Sequence, residues 1–169
     1  MEQIKQIVFT EPNVAEYLTV GEVDFSKIAA DQVVVKTAVS TISAGTEKAN
    51  ITGELGTSYK AVFPVKNLGY SSAGEVVAIG EKVKKVQVGD RVVVYWGMHK
   101  NYNIVNENNV VKIEYDSLSY EEAAVSFIST FPLAAIRKVN LEIGESLMVM
   151  GLGILGQKDV STSFLISAR

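Results

Sequence analysis

The first two thirds of the chain alternate short apolar runs with turns rich in glycine and polar residues. The runs are rich in valine and isoleucine, the β-branched residues that fit a pleated sheet. Many short strands separated by glycine turns are typical of a barrel or a sandwich. The pattern predicts strands at Ile4–Phe9, Tyr17–Val20, Gln32–Ile42, Glu75–Ile79, Arg91–Trp96, Tyr102–Val105 and Val110–Ile113.

Two stretches between these runs lack the alternation. Thr46–Thr52 favours one or two helical turns that end at Gly53. Residues 54–66 carry Gly56, Ser58 and Pro64, and this composition predicts a loop.

The pattern changes at Ser119. Ser119 and Glu122 form a capping box, in which each side chain accepts a hydrogen bond from the other residue's backbone amide at the start of a helix. Pro132 lacks an amide hydrogen, so it should kink or restart this helix. The apolar run Leu147–Met150 then suits a strand buried on both faces. The order predicts a domain boundary between residues 115 and 145.

A glycine-rich turn follows that run. Gly151, Gly153 and Gly156 match the G-x-G-x-x-G pattern of dinucleotide-binding folds, in which glycines allow a tight turn, approach of a pyrophosphate and close helix packing. Only 13 residues follow Gly156, whereas a βαβ unit needs about 30. We therefore expect no dinucleotide fold to close within this chain. The hydroxyl-rich run Ser161–Phe164 is also a poor helix former.

Composition excludes several classes of protein. The 169-residue chain has a net charge of −3 and no basic block, so nucleic acid is not an expected partner. It has no cysteine, which excludes disulfides and thiolate metal sites. No apolar run approaches the ~18 residues of a membrane span, and the mixed charge of the first residues is unlike a signal peptide. The expected location is the cytoplasm.

Four stretches together resemble the medium-chain dehydrogenase/reductase family, the zinc-type alcohol dehydrogenases and their relatives. They are "ISAGTEKANITGE", "LGYSSAGEVVAIGEKV", "VGDRVVV" and "GESLMVMGLGILGQ", in the family's order and spacing. The resemblance implies a mainly β fold. A GroES-like β-barrel with short helices would occupy residues 1–118. The connecting helices, the first strand and the glycine turn of an incomplete Rossmann domain would occupy 119–157, and a tail unlike the family 158–169.

The family framework implies zinc ligands that this chain lacks. The position of the family's cysteine ligand is Ala44, that of its histidine ligand is Tyr70, and the third falls near Phe127. Alanine and phenylalanine do not coordinate zinc, and a lone phenol is a poor ligand set. The family's relay histidine position is Ala49. The resemblance thus predicts a zinc-independent protein with no metal site.

Thr46 and Tyr70 are the candidate catalytic residues. Thr46 matches the family's Ser/Thr that hydrogen-bonds the substrate oxygen, and its alternative role is an N-cap. Tyr70 has a phenol that donates to a carbonyl, and its alternative role is packing in the barrel wall.

Several other residues carry a weaker signal. Glu47 is expected to pair with a cation or the backbone. The single histidine, His99, is expected on a surface strand, while Trp96, Tyr95 and Tyr102 line a pocket or pack in the core. By resemblance, Gly151, Gly153, Gly156 and Thr130 would bind the cofactor.

Two functional hypotheses remain. The first is an NAD- or NADP-dependent oxidoreductase for a small alcohol or carbonyl compound, here a truncated form that is inactive alone and binds no cofactor. The second is a non-enzymatic barrel, either a binding or assembly module or a vestigial gene product. In both cases we expect residues 147–150 and the tail to be disordered or to pair with a second copy in a homodimer.

Overall fold

The computed structural model describes residues 1–52 and 62–167. All the strands of these residues lie before Ser119, with one α-helix among them, and three α-helices follow. The strands are β1 (Glu2–Glu11), β2 (Val14–Val23), β3 (Gln32–Ser40), β4 (Ser71–Ile79), β5 (Arg91–Tyr95), β6 (Tyr102–Asn106) and β7 (Val110–Lys112). The helices are α1 (Ala44–Thr52), α2 (Tyr120–Val125), α3 (Thr130–Val139) and α4 (Ile154–Ser167). Each predicted strand before Ser119 is confirmed, with ends moved by a few residues. Of the predicted loop, residues 54–61 lie outside the described part of the chain, as does Gly53.

The strands form two antiparallel sheets in the part of the chain that the structure describes. β1 and β2 make a hairpin, and the others make a five-stranded sheet of order β6-β3-β4-β5-β7. One face of this sheet buries a cluster of valines, which is the main hydrophobic core: Val33, Val35, Val76, Val86, Val92, Val94 and Val110. Such uniform β-branched packing explains why the valine-rich runs become strands.

The two spaced glycines of the β4 region are required by close backbone contacts. A Cβ atom added at Gly74 would overlap the carbonyl oxygen of Lys36 and lie 3.0 Å from the Cα of Thr37. A Cβ at Gly80 would meet the carbonyl groups of Ala29 and Ala30. The glycine spacing in the sequence therefore reflects where neighbouring backbone lies against this strand.

The turn before β5 is held by Asp90. Its carboxylate accepts hydrogen bonds from the Gln87 amide at 2.9 Å and from the Lys112 ammonium at 2.7 Å. The Lys112 hydrogen bond holds the pKa of Asp90 below its usual value. Gly89 supplies a φ of +92°, a conformation that glycine adopts without steric cost. Asp90 thus ties the start of β5 to β7.

The chain divides into two compact units, Met1–Ala124 and Val125–Arg169. At the end of the first unit, the predicted capping box is present. Ser119 N donates to Glu122 Oε2 at 2.9 Å, and Glu122 N donates to Ser119 Oγ at 3.2 Å. Ala123 and Ala124 then pack in a second core cluster with Ala73, Val93 and Ile113.

In the second unit, α3 begins at Thr130, which agrees with a helix restarted near Pro132. The helix ends at Val139, and the next residue, Asn140, has a φ of +52°, the left-handed conformation common after helices. Leu147–Met150 is not a strand, because none of the residues that the structure describes supplies it with a hydrogen-bonded neighbour. None of the described helices is both long and apolar enough to cross a lipid bilayer.

The expectation of a disordered end is wrong for residues 154–167, which form α4. Two of the hydroxyl side chains bond within the helix and do not compete with it. Ser161 Oγ donates to the carbonyl of Gln157 at 2.9 Å, and Ser163 Oγ donates to that of Val160 at 2.8 Å. Such back-bonding lets a hydroxyl side chain find its partner inside a helix, at a small cost in helix stability.

We predict that Gly74→Ala lowers the free energy of unfolding by about 2 kcal/mol or more, because the new methyl group displaces the β3 backbone. Gly21→Ala is the matched control, because Gly21 lies in β2 with open space around its Cα. This control should change stability by no more than about 0.5 kcal/mol. Urea denaturation measures both, and equal effects of the two substitutions would contradict the steric explanation.

Candidate active site

A cleft of about 700 Å³ lies in the first unit. Thr46 and Tyr70, the two candidate catalytic residues, both line it. The full lining is Thr46, Glu47, Asn50, Val62, Pro64, Val65, Lys66, Asn67, Leu68, Gly69, Tyr70, Trp96 and Met98. The fold therefore gathers residues from α1, the segment before β4 and the segment after β5 around one cavity.

Thr46 lies inside α1 and does not cap it. The helix begins at Ala44, and its first backbone bond runs from Glu47 N to the carbonyl of Ser43 at 2.9 Å. The N-cap interpretation of Thr46 is therefore wrong. Ser43 Oγ donates to Thr46 Oγ1 at 3.3 Å, which leaves the proton of Thr46 available for another acceptor.

Tyr70 and Trp96 form an aromatic edge of the cleft. Their ring centroids are 6.4 Å apart at an angle of 60°, and Trp96 N donates to the carbonyl of Tyr70 at 2.8 Å. Trp96 has a φ of +61° and is 65% exposed, although large non-glycine residues rarely adopt this conformation. The other two aromatic candidates pack elsewhere, Tyr95 beside the Ala73 cluster and Tyr102 against the ring of Phe25.

His99 is buried, so the expectation that it lies on the surface is wrong. Its Nε2 lies 3.0 Å from Glu47 Oε2, and its Nδ1 lies 2.8 Å from Ser40 Oγ. Only 5% of His99 and 6% of Glu47 are exposed. The second oxygen of Glu47 accepts a hydrogen bond from Ser43 N at 2.9 Å. The prediction that Glu47 has a cationic or backbone partner is thus confirmed for the backbone, and its other partner is an imidazole.

The backbone of Gly69 lies directly against His99. A Cβ at Gly69 would be 2.9 Å from His99 N and 3.2 Å from two atoms of the imidazole ring. Gly69 also has a φ of +92°, and the neighbouring Leu68 carbonyl accepts a hydrogen bond from His99 N at 3.2 Å. Glycine is therefore required here both by conformation and by space.

The residues at the framework's ligand positions do not fit a zinc ion. Ala44 and Phe127 carry no donor atom, and Tyr70 offers a single phenol oxygen. Within residues 1–52 and 62–167, no three His, Cys, Asp or Glu side chains converge in the manner of a metal site. Ser71, which follows Tyr70, donates instead to the carbonyl of Ala124 at 2.6 Å.

The candidate cofactor residues lie in the second unit. Gly151 has a φ of +98°, and a Cβ at Gly156 would overlap the carbonyl group of Gly151. Glycine is therefore required at Gly151 by conformation and at Gly156 by space. The strand that precedes such a turn in dinucleotide-binding folds does not form at residues 147–150. Thr130 Oγ1 donates to the carbonyl of Phe127 at 2.7 Å. Cofactor binding by Gly151, Gly153, Gly156 and Thr130 stays a prediction.

Comparison with known proteins identifies the fold of the first unit. Residues 29–115 match the family described as the alcohol dehydrogenase GroES-like domain. The chain is 32% identical over 115 residues to (R,R)-butanediol dehydrogenase of Bacillus subtilis (strain 168). The match covers 53% of this chain and 33% of that protein. The chain therefore spans about a third of the length of this relative.

Solved structures show the same fold, which confirms the predicted GroES-like architecture. A quinone oxidoreductase from Coxiella burnetii superposes with a TM-score of 0.80 at 18% identity, covering 98% of this chain and 55% of that one. A quinone oxidoreductase from Pseudomonas syringae pv. Tomato DC3000 gives a TM-score of 0.66 at 26% identity, and the match covers 84% of this chain and 43% of that one.

We predict that Gly69→Ala destabilises the protein more than Gly89→Ala does. Both glycines have a φ of +92°, but only Gly69 has a neighbour within 4 Å of the added methyl group. Gly89→Ala should cost about 1–2 kcal/mol from backbone strain alone, and Gly69→Ala should add the cost of displacing His99. Urea denaturation gives the difference. Equal losses would show that the contact with His99 is unimportant.

Proposed function

The chain belongs to the family of alcohol dehydrogenase GroES-like domains, and from this premise we propose that it supplies the substrate cleft of an NAD(P)-dependent oxidoreductase that works without zinc. The observation that carries the proposal is the presence of two hydroxyl donors, Thr46 and Tyr70, in one cleft. The proposed substrate of this oxidoreductase is a small alcohol or carbonyl compound.

The chemistry needs a proton donor at the substrate oxygen. When bound, the nicotinamide cofactor supplies or accepts the hydride at the substrate carbon. During carbonyl reduction the oxygen becomes an alkoxide, and a donor aimed at it stabilises the developing charge. The proton of Thr46 serves this purpose, because Ser43 Oγ already donates to Thr46 Oγ1 at 3.3 Å. Ser43 then returns a proton to Thr46 and is itself reprotonated by solvent water, since the pair is exposed. Tyr70 provides a second hydroxyl.

The lining of the cleft supports a planar apolar carbonyl compound as substrate. Five of its residues are aliphatic or sulfur-containing, and the rings of Tyr70 and Trp96 offer a face for stacking. They are Val62, Pro64, Val65, Leu68 and Met98. A quinone, the compound in the name of the Pseudomonas syringae oxidoreductase, has this shape. A diol, as in the name of the Bacillus relative, would leave these surfaces without a partner.

Because the chain alone is expected to be inactive, rates are measured on a parent in which it is joined to a complete cofactor-binding domain. We predict that Thr46→Val lowers kcat of this parent for NADH- or NADPH-dependent reduction of a naphthoquinone by about a hundredfold or more. Tyr70→Phe should lower it by about tenfold or more. Thr46→Ser keeps the hydroxyl and should retain most activity, and Met98→Leu is a control within the same cleft. If Thr46→Val and Tyr70→Phe both react within twofold of the parent, these hydroxyls are not the donors. A parent with a complete cofactor-binding domain that shows no saturable reaction with any carbonyl compound would favour the non-enzymatic binding module.

Zinc independence has its own test. Dialysis against a strong chelator, followed by elemental analysis, should find no stoichiometric zinc, because the ligand positions lack donor atoms. Carbonyl reduction should have the same rate before and after this treatment. One zinc ion per chain after dialysis, or activity that returns only when zinc is added, would refute the proposal.

A further inference from the structure

We propose that His99 is a positioning residue for both hydroxyl donors, acting through a buried clamp made of His99, Glu47 and Gly69. The inference rests on the proposed function for what the donors do. The clamp itself follows from the contacts of one imidazole ring with stretches of chain that are far apart in sequence.

Each side of the imidazole contacts a different stretch. Nε2 meets Glu47 in α1 at 3.0 Å, and Nδ1 meets Ser40 at the end of β3 at 2.8 Å. The backbone of Gly69 lies close to the ring: a Cβ atom added at Gly69 would be 3.2 Å from the ring atoms Cε1 and Cγ. A single side chain therefore joins the end of β3, α1 and the segment that leads into β4.

Both proposed donors are direct neighbours of clamp residues. Thr46 precedes Glu47 in α1, and Tyr70 follows Gly69. Displacement of the ring would leave the Glu47 carboxylate without its contact at 3.0 Å and would open space beside the backbone of Gly69, which lies against the ring. The separation of the two hydroxyls in the cleft thus depends on where His99 lies.

The clamp joins the two stretches that a metal would join in the framework the chain resembles. Positions 44 and 70, which correspond to two zinc ligands there, carry Ala44 and Tyr70. Here Glu47 and Gly69, near those positions, are held together by His99. A buried ion pair adds little net stability, because both partners lose their solvation when they are buried. Removing one partner is nevertheless costly, because it leaves the other buried without a partner. If His99 positions the residues of the cleft, the presence of the buried His99–Glu47 pair beside it is explained.

Trp96 is a reporter for the clamp that does not depend on activity. It is the only tryptophan in the chain, and its ring lies 6.4 Å from that of Tyr70. Movement of Tyr70 should therefore change the emission of Trp96 and its quenching by acrylamide.

The test compares His99→Leu with His99→Gln. Leucine fills the space without hydrogen bonds, whereas the glutamine amide donates to Glu47 and accepts from Ser40. His99→Leu should change Trp96 emission and quenching and lower kcat by about tenfold to a hundredfold, with KM changed by less than about threefold. His99→Gln should restore both properties. Lys112→Met breaks the Asp90 pair and is the control, which should lower stability and leave Trp96 and kcat unchanged.

Every outcome decides the proposal. A folded His99→Leu protein with unchanged Trp96 emission would overturn it, as would a glutamine variant as impaired as the leucine one. If both variants fail to fold, His99 is needed for the whole unit and the local role is wrong. If the parent reduces no carbonyl compound, the proposed function fails, and the Trp96 measurement still decides whether the clamp exists.

Discussion

The imidazole of His99 and the carboxylate of Glu47 meet at 3.0 Å inside the first unit, with at most 6% of either residue exposed. The arrangement of the cleft depends on this contact. A buried polar group needs partners because it has given up its hydrogen bonds to water, and here each of the polar atoms involved has one. The carboxylate contacts His99 and Ser43, and the ring contacts Glu47 and Ser40. Steric fit completes the arrangement, since only glycine fits at position 69 beside the ring.

Such a site is held together differently from one built on a metal ion. An ion gathers ligands from several segments through strong and short bonds. In this chain hydrogen bonds of about 3 Å and close backbone packing connect segments that correspond to those of the zinc framework. β3, which ends at Ser40, is anchored by Val33 and Val35 in the valine core of the sheet. The cleft that Thr46 and Tyr70 line lies beside the clamp, since Glu47 and Gly69 also line it.

Local features of the fold could be predicted from the sequence because their causes are local. The strands followed from β-branched runs between glycines, and the capping box at Ser119 followed from a spacing of three residues. Gly69 and Gly74 were visible as glycines in a family pattern, but the distant backbone and side-chain neighbours that require them were not. The helix α4 was missed because serine side chains were expected to compete with its backbone, whereas Ser161 and Ser163 bond to carbonyls within it.

The clamp could not be predicted in this way. His99 and Glu47 are 52 residues apart, and no spacing rule joins a helix to a loop across a sheet. The single histidine looked like a surface residue because a lone imidazole forms no metal site. The signal that was present is chemical: an acid in the first turn of a short helix, and one histidine in a chain without cysteine. Only the topology of the sheet brings these two together.

The most direct test of this account is a nuclear magnetic resonance spectrum of the ¹⁵N-labelled protein, in which the imidazole signals belong to one residue. We expect a proton on His99 Nε2 that exchanges slowly with water, distinct shifts for the two ring nitrogens, and contacts from the ring to the Gly69 Cα protons. A ring whose protons exchange rapidly and whose nitrogens show averaged shifts would contradict the buried clamp.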